Sequence, residues 1–263
     1  MTSFLEKILG QKREEIGLRR KMIPVDRLKG LPAFSRPVKS LRGALAGKRP
    51  AIIAEIKKAS PSRGVLRDQF DHRAIARQYV EGGAHALSVL TDNKFFQGDL
   101  TFLDDLAPVV PVPILRKDFI IDPYQLYESK AHGADAILLI AAAVDPIQLH
   151  DLHAEAGSLG LECLVEVHTR EEIASLDGMA AGIVGINNRD LSTFEVNLAT
   201  SSRLASLLPG SAIIVSESGI STPGDVQTLA AINIHAVLIG ELFMKSADPG
   251  AALRDFLAKA GTT

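Results

Sequence analysis

The chain of 263 residues has a single cysteine, Cys163, which excludes an internal disulfide; without a CxxC pair there is no thiolate zinc site either. This cysteine usage is that of a protein of the reducing cytoplasm, where the chain is expected to reside. The seven histidines form no HxH or HExxH pair, so the usual ligands of a metal centre are missing and no metal is expected. Excess charge of either sign is missing too. Lys and Arg total 29 against 31 Asp and Glu, a formal charge of -2, which argues against a general nucleic-acid binder or a binder of anionic membranes. The first twenty residues mix Lys, Arg and Glu and hold no long apolar run, so they read neither as a secretory signal nor as a membrane span. The glycine-rich phosphate loops GxGxxG and GxxxxGK[ST] are absent where an open doubly wound sheet would place them, after the first strand.

What the chain does have is a repeat of short apolar runs and amphipathic stretches. The runs are Ala51 to Ile56, His85 to Leu90, Val112 to Leu115, Asp135 to Ile140, Leu161 to Val167, Gly182 to Ile186, Ala212 to Ser216 and Ala236 to Ile239. Between them lie helical patterns at His72 to Glu81, Pro123 to Ala131, Pro146 to Ser158, Arg170 to Leu176, Leu198 to Leu207 and Pro223 to Ala231, closed by Pro249 to Lys259. Eight buried parallel strands, each followed by a helix, specify an α/β fold, the (β/α)8 TIM barrel. Helix starts carry the expected punctuation: Thr222-Pro-Gly-Asp225 reads as an N-cap followed by Pro and an acid, and Asp122-Pro123 and Asp145-Pro146 repeat the pattern. A single barrel domain over 1–263 is expected, with 1–50 an N-terminal helical extension covering it. Phe4, Leu5, Ile8 and Leu9 share one helical face there, and residues 22–50, with four prolines, read as an irregular covering loop.

Three glutamates end apolar runs: Glu55, Glu166 and Glu217. Burying a carboxylate costs several kcal/mol unless it is paired, so charges recurring at the same end of successive strands point to a polar site where the strands converge. Two lysines, Lys57 and Lys117, join them. Period-two alternation puts Ile53, Glu55 and Lys57 on one face, and sets Leu115 with Lys117, Leu164 with Glu166 and Val215 with Glu217. Cys163 falls on the opposite face from Glu166 and reads as a packing thiol. Barrel chemistry sits at the carboxyl ends of the strands, where these side chains collect. Ser218-Gly219 and Gly240-Glu241, after the last two strands, place small residues where amides and a helix start can converge on a phosphate; ordinary turn glycines are the alternative. Asn187-Asn-Arg189 can offer amide hydrogen bonds and a guanidinium, and Ser60-Pro-Ser-Arg-Gly64 is either a mobile lid or a plain turn.

Several segments resemble the motifs of the indole-3-glycerol-phosphate synthase family. They are Ala54-Glu-Ile-Lys-Lys-Ala-Ser-Pro-Ser62, Leu115-Arg-Lys-Asp-Phe-Ile-Ile-Asp122, Leu164-Val-Glu-Val-His168, Gly185-Ile-Asn-Asn-Arg-Asp-Leu191, Val215-Ser-Glu-Ser-Gly-Ile220 and Leu238-Ile-Gly240. The match runs from Leu5-Glu-Lys-Ile8 and Lys12-Arg-Glu-Glu15 to Ala247-Asp-Pro-Gly250. The resemblance implies a phosphorylated small-molecule substrate, 1-(2-carboxyphenylamino)-1-deoxyribulose 5-phosphate, converted without a cofactor to indole-3-glycerol phosphate, carbon dioxide and water. It implies a stand-alone enzyme, since the chain leaves no room for the isomerase domain fused to it in some organisms.

Carried over motif by motif, the resemblance makes Lys117 the general acid of ring closure and Glu166 a participant in the proton transfers. Lys57 binds the anionic substrate and is the candidate acid for release of water, with Glu166 the base of that step; the division between the two is left open by the sequence. Glu55, Asn187 and Glu217 complete the catalytic set. Asn187, Arg189, Glu217 and Ser218 are implied around the sugar-phosphate chain, and Phe96, Phe119, Leu138 and Ile239 against the aromatic ring; Ser60, Gly219, Gly240 and Glu241 are further substrate-binding positions. Glu241, where some relatives carry Ser, would still donate its backbone amide. A phosphoribosyl sugar isomerase and a noncatalytic phosphosugar-binding protein are the competing readings; neither explains the lysine and glutamate set.

Overall fold

In the computed structural model, which describes residues 3–47, 50–190 and 193–261, eight parallel strands close into a barrel. They are β1 (Ala51–Ile56), β2 (Ala86–Leu90), β3 (Ile114–Lys117), β4 (Ala136–Ile140), β5 (Glu162–Val167), β6 (Ile183–Asn187), β7 (Ile213–Glu217) and β8 (Ala236–Ile239). Each pairs with its neighbours in sequence, and β1 closes the ring on β8, with Ala51 opposite Ala236 and Ala54 opposite Ile239. The strands match the apolar runs to within two residues at either end.

Alternation sorts the side chains into two layers. Ile53, Leu115, Leu138, Leu164, Val215 and Leu238 fill the lumen, whereas Ile52, Ala54, Ile137, Val165, Ile214 and Val237 pack under the helices. Cys163 lies in the outer layer, and burial pushes its thiol up to about 12, so it is inert packing rather than a nucleophile. The helices at His72–Glu81, Pro123–Ala131, Pro146–Ser158 and Pro223–Ala231 have the expected bounds, and Asp122, Asp145 and Thr222 cap them through their side chains, the last in a reciprocal box with Asp225. Among the described residues no helix is long and apolar enough to cross a membrane.

The extension differs from its expected form. Helix α1 (Phe4–Met22) is followed by α2 (Val25–Lys29), a 3-10 turn at Pro32–Ser35 and α3 (Leu41–Ala46), so most of the stretch read as irregular is helical. Helix α3 lies against β1, β2 and β7 at the amino-terminal end of the barrel. Leu41 and Leu45, four residues apart and so on one face, are fully buried there with Ala51, Ala86 and Ile213. Two apolar residues in a six-residue helix are too short a pattern to register as periodicity. The helices Asn93–Phe96 and Thr101–Leu106 between β2 and β3 also had no sequence signal. Met1, Thr2, Lys48 and Arg49 of the extension fall outside the described residues.

Only α1 reaches the mouth. Lys12, 1% exposed, is pinned by Asp92 and Asp118 at 2.9 Å each and by Glu15 at 3.0 Å. Asp118 also pairs with the buried Arg116 at 2.9 Å and accepts a hydrogen bond from Thr91, so α1 is bolted to the ends of β2 and β3. Burial alone would raise the Asp118 carboxyl, but Lys12 and Arg116 hold it well below the ordinary carboxylate range. A depressed carboxylate stabilises the fold above its unfolded-state pKa and loses that contribution as pH falls. Lys12→Met strands Asp92 and should destabilise the protein by about 3–5 kcal/mol at neutral pH, with the deficit shrinking in acid as the aspartates protonate. Urea unfolding at pH 7 and pH 4 checks this; equal midpoints for mutant and wild type at pH 7 would refute it.

Candidate active site

The carboxyl ends of the strands open into a cavity of about 630 Å³, and every site residue named from the sequence lines it. Glu55 and Glu166 each lie one residue before the end of their strands, β1 and β5, while Lys117, Asn187 and Glu217 end β3, β6 and β7. The three glutamates are 1–4% exposed. Each is paired: Lys117 Nζ reaches Glu166 Oε2 at 3.0 Å and Glu217 Oε2 at 2.9 Å, while Lys57 pairs with Glu55. One ammonium therefore bridges two carboxylates carried by strands that flank β6.

That arrangement sets the protonation order. Burial by itself would pull the Lys117 amine down, but Glu166, Glu217 and Glu55 outweigh it and lift the amine above the ordinary lysine range, so Lys117 is an ammonium at neutral pH. The sequence left this competition open. Two carboxylates near one cation cannot both stay charged at equal ease, and they separate. Burial, with Glu166 and Glu55 adding to it and Lys117 opposing, pushes Glu217 up to about 7. Glu166 goes the other way: burial is overcome by Lys117, by His168 and by hydrogen bonds from Lys117 and Asn187, so its carboxyl stays below the usual range. Near neutral pH the trio holds an ammonium and an ionised Glu166, and Glu217 is the carboxyl that takes a proton first.

Two glycines make room for these acids. A Cβ on Gly185 would stand 2.2 Å from Glu217 Oε1, and one on Gly240 would stand 2.5 Å from Glu55 Oε1. The Cβ side of Gly240 thus faces Glu55, so what this glycine can offer a ligand is its backbone. Gly219 is different. It has φ +81 beside Ser218 at +66, and a Cβ there would lie 2.4 Å from Val196 Cγ1. A serine held in left-handed backbone costs roughly 1–2 kcal/mol, strain of the kind that collects at ligand sites. Gly240 precedes the short helix Glu241–Met244, whose first amides lack intrahelical partners.

The remaining walls divide into a polar and an aromatic half. Arg189 donates to the Phe194 carbonyl at 3.1 Å, and its own amide is fixed by Asn187 Oδ1 at 3.0 Å. Ser60 lies in a two-stranded hairpin, Ala59–Ser60 with Gly64–Val65, whose Arg63 reaches Glu241 at 3.3 Å. Phe96 and Phe119 line the opposite side with ring centroids 6.2 Å apart. Leu138 faces the lumen as expected, but Ile239 borders the cavity with its side chain packed in the outer layer, and its neighbour Leu238 is the one that faces inward. Strand alternation requires one or the other. Sequence reasoning missed Phe4, Leu5 and Ile8 of α1 as cavity walls, and Phe194, whose ring meets that of Phe4 at 5.2 Å. It also passed over His168, which approaches Glu166 at 3.4 Å. Leu191 of the quoted motif lies outside the described residues.

Residues 5–256 match the family model described as indole-3-glycerol phosphate synthase. The chain belongs to the indole-3-glycerol phosphate synthase family. Relatives bearing the family name include one from Burkholderia vietnamiensis, 47% identical over 96% of this chain and 98% of its own length. Another, from Albidiferax ferrireducens, is 48% identical over 99% of this chain and 100% of its own. Solved structures are more distant. The 3-hexulose-6-phosphate synthase of Salmonella typhimurium superposes with a TM-score of 0.64 at 13% identity, covering 80% of this chain and 98% of its own. A chain of the tryptophan synthase a2b2 complex of Pyrococcus furiosus gives 0.60 at 14%, covering 82% of this chain and 99% of its own. At such identities the likeness extends to the barrel alone. For a family member, the glutamate and lysine set at the strand ends is where the chemistry is to be sought.

Proposed function

We propose that the cavity is the active site of a carboxy-lyase that closes the indole ring, converting 1-(2-carboxyphenylamino)-1-deoxyribulose 5-phosphate to indole-3-glycerol phosphate, carbon dioxide and water, a step of tryptophan synthesis. Family membership supports the reaction; the observation that carries the assignment of roles is the single buried ammonium of Lys117 held between Glu166 and Glu217. Ring closure forms a bond between the aromatic carbon bearing the carboxylate and the ketone carbon, while the ketone oxygen takes a proton. Lys117 donates that proton, and the developing alkoxide is basic enough to accept it even from an amine whose pKa is raised. Carbon dioxide then leaves with its bonding pair returned to the ring, restoring aromaticity. The last step removes the hydroxyl as water and a proton from the adjacent carbon or nitrogen system. Glu166, kept ionised, is the base, and Lys57 is the cation near enough to the strand ends to assist the departing hydroxyl.

The aromatic half of the cavity, Phe96, Phe119 and Leu138, receives the carboxyphenyl group. Arg189, Ser218, Gly219, Gly240 and Glu241 receive the sugar phosphate, whose charge the amides of two adjoining strand ends offset. Helix α1 belongs to the same working unit as the barrel, because Phe4, Leu5 and Ile8 close the aromatic side. A reducing cytoplasm suits the unpaired Cys163.

Incubating the protein with the carboxyphenylamino substrate should produce indole fluorescence and carbon dioxide in equal amounts; substrate that persists, or that isomerises without releasing gas, would overturn the assignment. The phosphate subsite has its own test. Gly219→Val meets both the φ +81 backbone and Val196, and should raise KM by about tenfold or more while lowering kcat less, because the damage falls on ground-state binding. Dephosphorylated substrate should bind wild type and variant equally poorly. If it binds the wild type as tightly as the phosphorylated form, the phosphate lies elsewhere.

A further inference from the structure

His168 follows the last residue of β5 and precedes Thr169, the N-cap of the helix Arg170–Ala174. Its side chain, 11% exposed, lies between two carboxylates. Nδ1 lies 3.2 Å from Glu172 Oε2, and Nε2 lies 3.4 Å from Glu166 Oε1 with no hydrogen-bond partner of its own. Glu172 is itself held in place: Oε2 accepts from the His168 amide at 2.6 Å, and its own amide donates to Thr169 Oγ1 at 3.2 Å. A neutral imidazole has one N–H and one lone pair, so it would turn a lone pair toward one of the two acids. The imidazolium donates from both nitrogens, and only that form suits both neighbours.

The charges that reach the ring come from three elements: Glu166 on β5, Glu172 on the helix that follows, and Glu217 on β7. Burial would pull the imidazole down, but the hydrogen bond to Glu172 and these carboxylates hold it above the ordinary histidine range. On the far side, Glu166 is faced by Lys117 from β3 and by the Asn187 amide from β6. Each oxygen of Glu166 thus faces a different nitrogen, Lys117 Nζ at Oε2 and His168 Nε2 at Oε1.

We propose that His168, as an imidazolium strung between Glu172 and Glu166, is a positioning residue that fixes Oε1 of Glu166, leaves Oε2 to Lys117, and sets the lowest pH at which the site can draw a proton from substrate. The inference rests on the role given to Glu166 above. Its sign follows from charge. A cation beside Glu166 favours the carboxylate, so removing it moves the ionisation of Glu166, and with it the acid limb of the pH profile, to higher pH.

The test pairs kinetics with a titration that needs no turnover. His168→Gln keeps an N–H near Oε1 without the charge, and should move the acid limb of kcat/KM up by about one pH unit while leaving plateau kcat within about threefold. His168→Leu removes donor and charge together; the limb should move at least as far and plateau kcat should fall by about tenfold or more. A histidine that merely packs would change stability and leave the limb in place. By NMR, the His168 titration midpoint should fall in both Glu172→Gln and Glu166→Gln, whether or not the protein turns over the substrate. A limb in His168→Gln that superimposes on wild type overturns the proposal, as does a midpoint indifferent to Glu166→Gln. If the wild type itself fails to form indole, the reaction assignment is wrong, and the NMR midpoints alone decide whether the chain Glu172, His168, Glu166 exists.

Discussion

Lys117→Ala should cut single-turnover rates by roughly 10²–10⁴-fold while product affinity stays within about tenfold, because the loss falls on the transition state rather than on the bound ground state. The structure gives two reasons for a large effect. The ammonium that protonates the ketone is gone, and Glu166 and Glu217 are left buried with no shared cation. Both carboxyls then shift toward the protonated form, so the base is weakened along with the loss of the acid. Lys117→Arg should rescue little. Guanidinium remains protonated across the working range, and its planar fork does not reproduce one nitrogen held at 3.0 and 2.9 Å from acids on two strands. Single-turnover measurement beside product binding checks this, and an alanine variant retaining more than half of the wild-type rate would remove Lys117 from the role.

Glu166→Gln should bind substrate and begin the reaction but stall before indole forms, with the overall rate down by roughly 10²–10⁴-fold. The amide keeps the shape and a carbonyl oxygen for Lys117, so ring closure retains its acid. What disappears is the carboxylate of the trio held below the usual range, since Glu217 is pushed up to about 7 and takes a proton first. Quench-flow sampling with gas detection should therefore find carbon dioxide released ahead of, and in excess over, indole product. Release of both together at the wild-type rate would make Glu166 a positioning group, with Lys57 the next residue to replace.

Local chemistry determined the barrel and gathered the strand-end glutamates and lysines at one mouth. Strand alternation depends only on neighbouring residues, so Ile53 with Glu55, Leu164 with Glu166 and Val215 with Glu217 could be assigned to the lumen before any contact was known. Eight apolar runs punctuated by caps such as Thr222 and Asp225 then left one closed topology. Tertiary structure decided what depends on distance through space. The partners of Lys117 are 49 and 100 residues away along the chain, so the sharing of one cation by Glu166 and Glu217 has no local signature. The same holds for Lys12 on Asp92 and Asp118, for Leu41 and Leu45 in the base of the barrel, and for Glu55 in the space left by Gly240. Protonation states belong to this second group as well. Desolvation and charge act in opposite directions on each acid and base, and only the burial and the separations reached in the folded barrel fix which one wins.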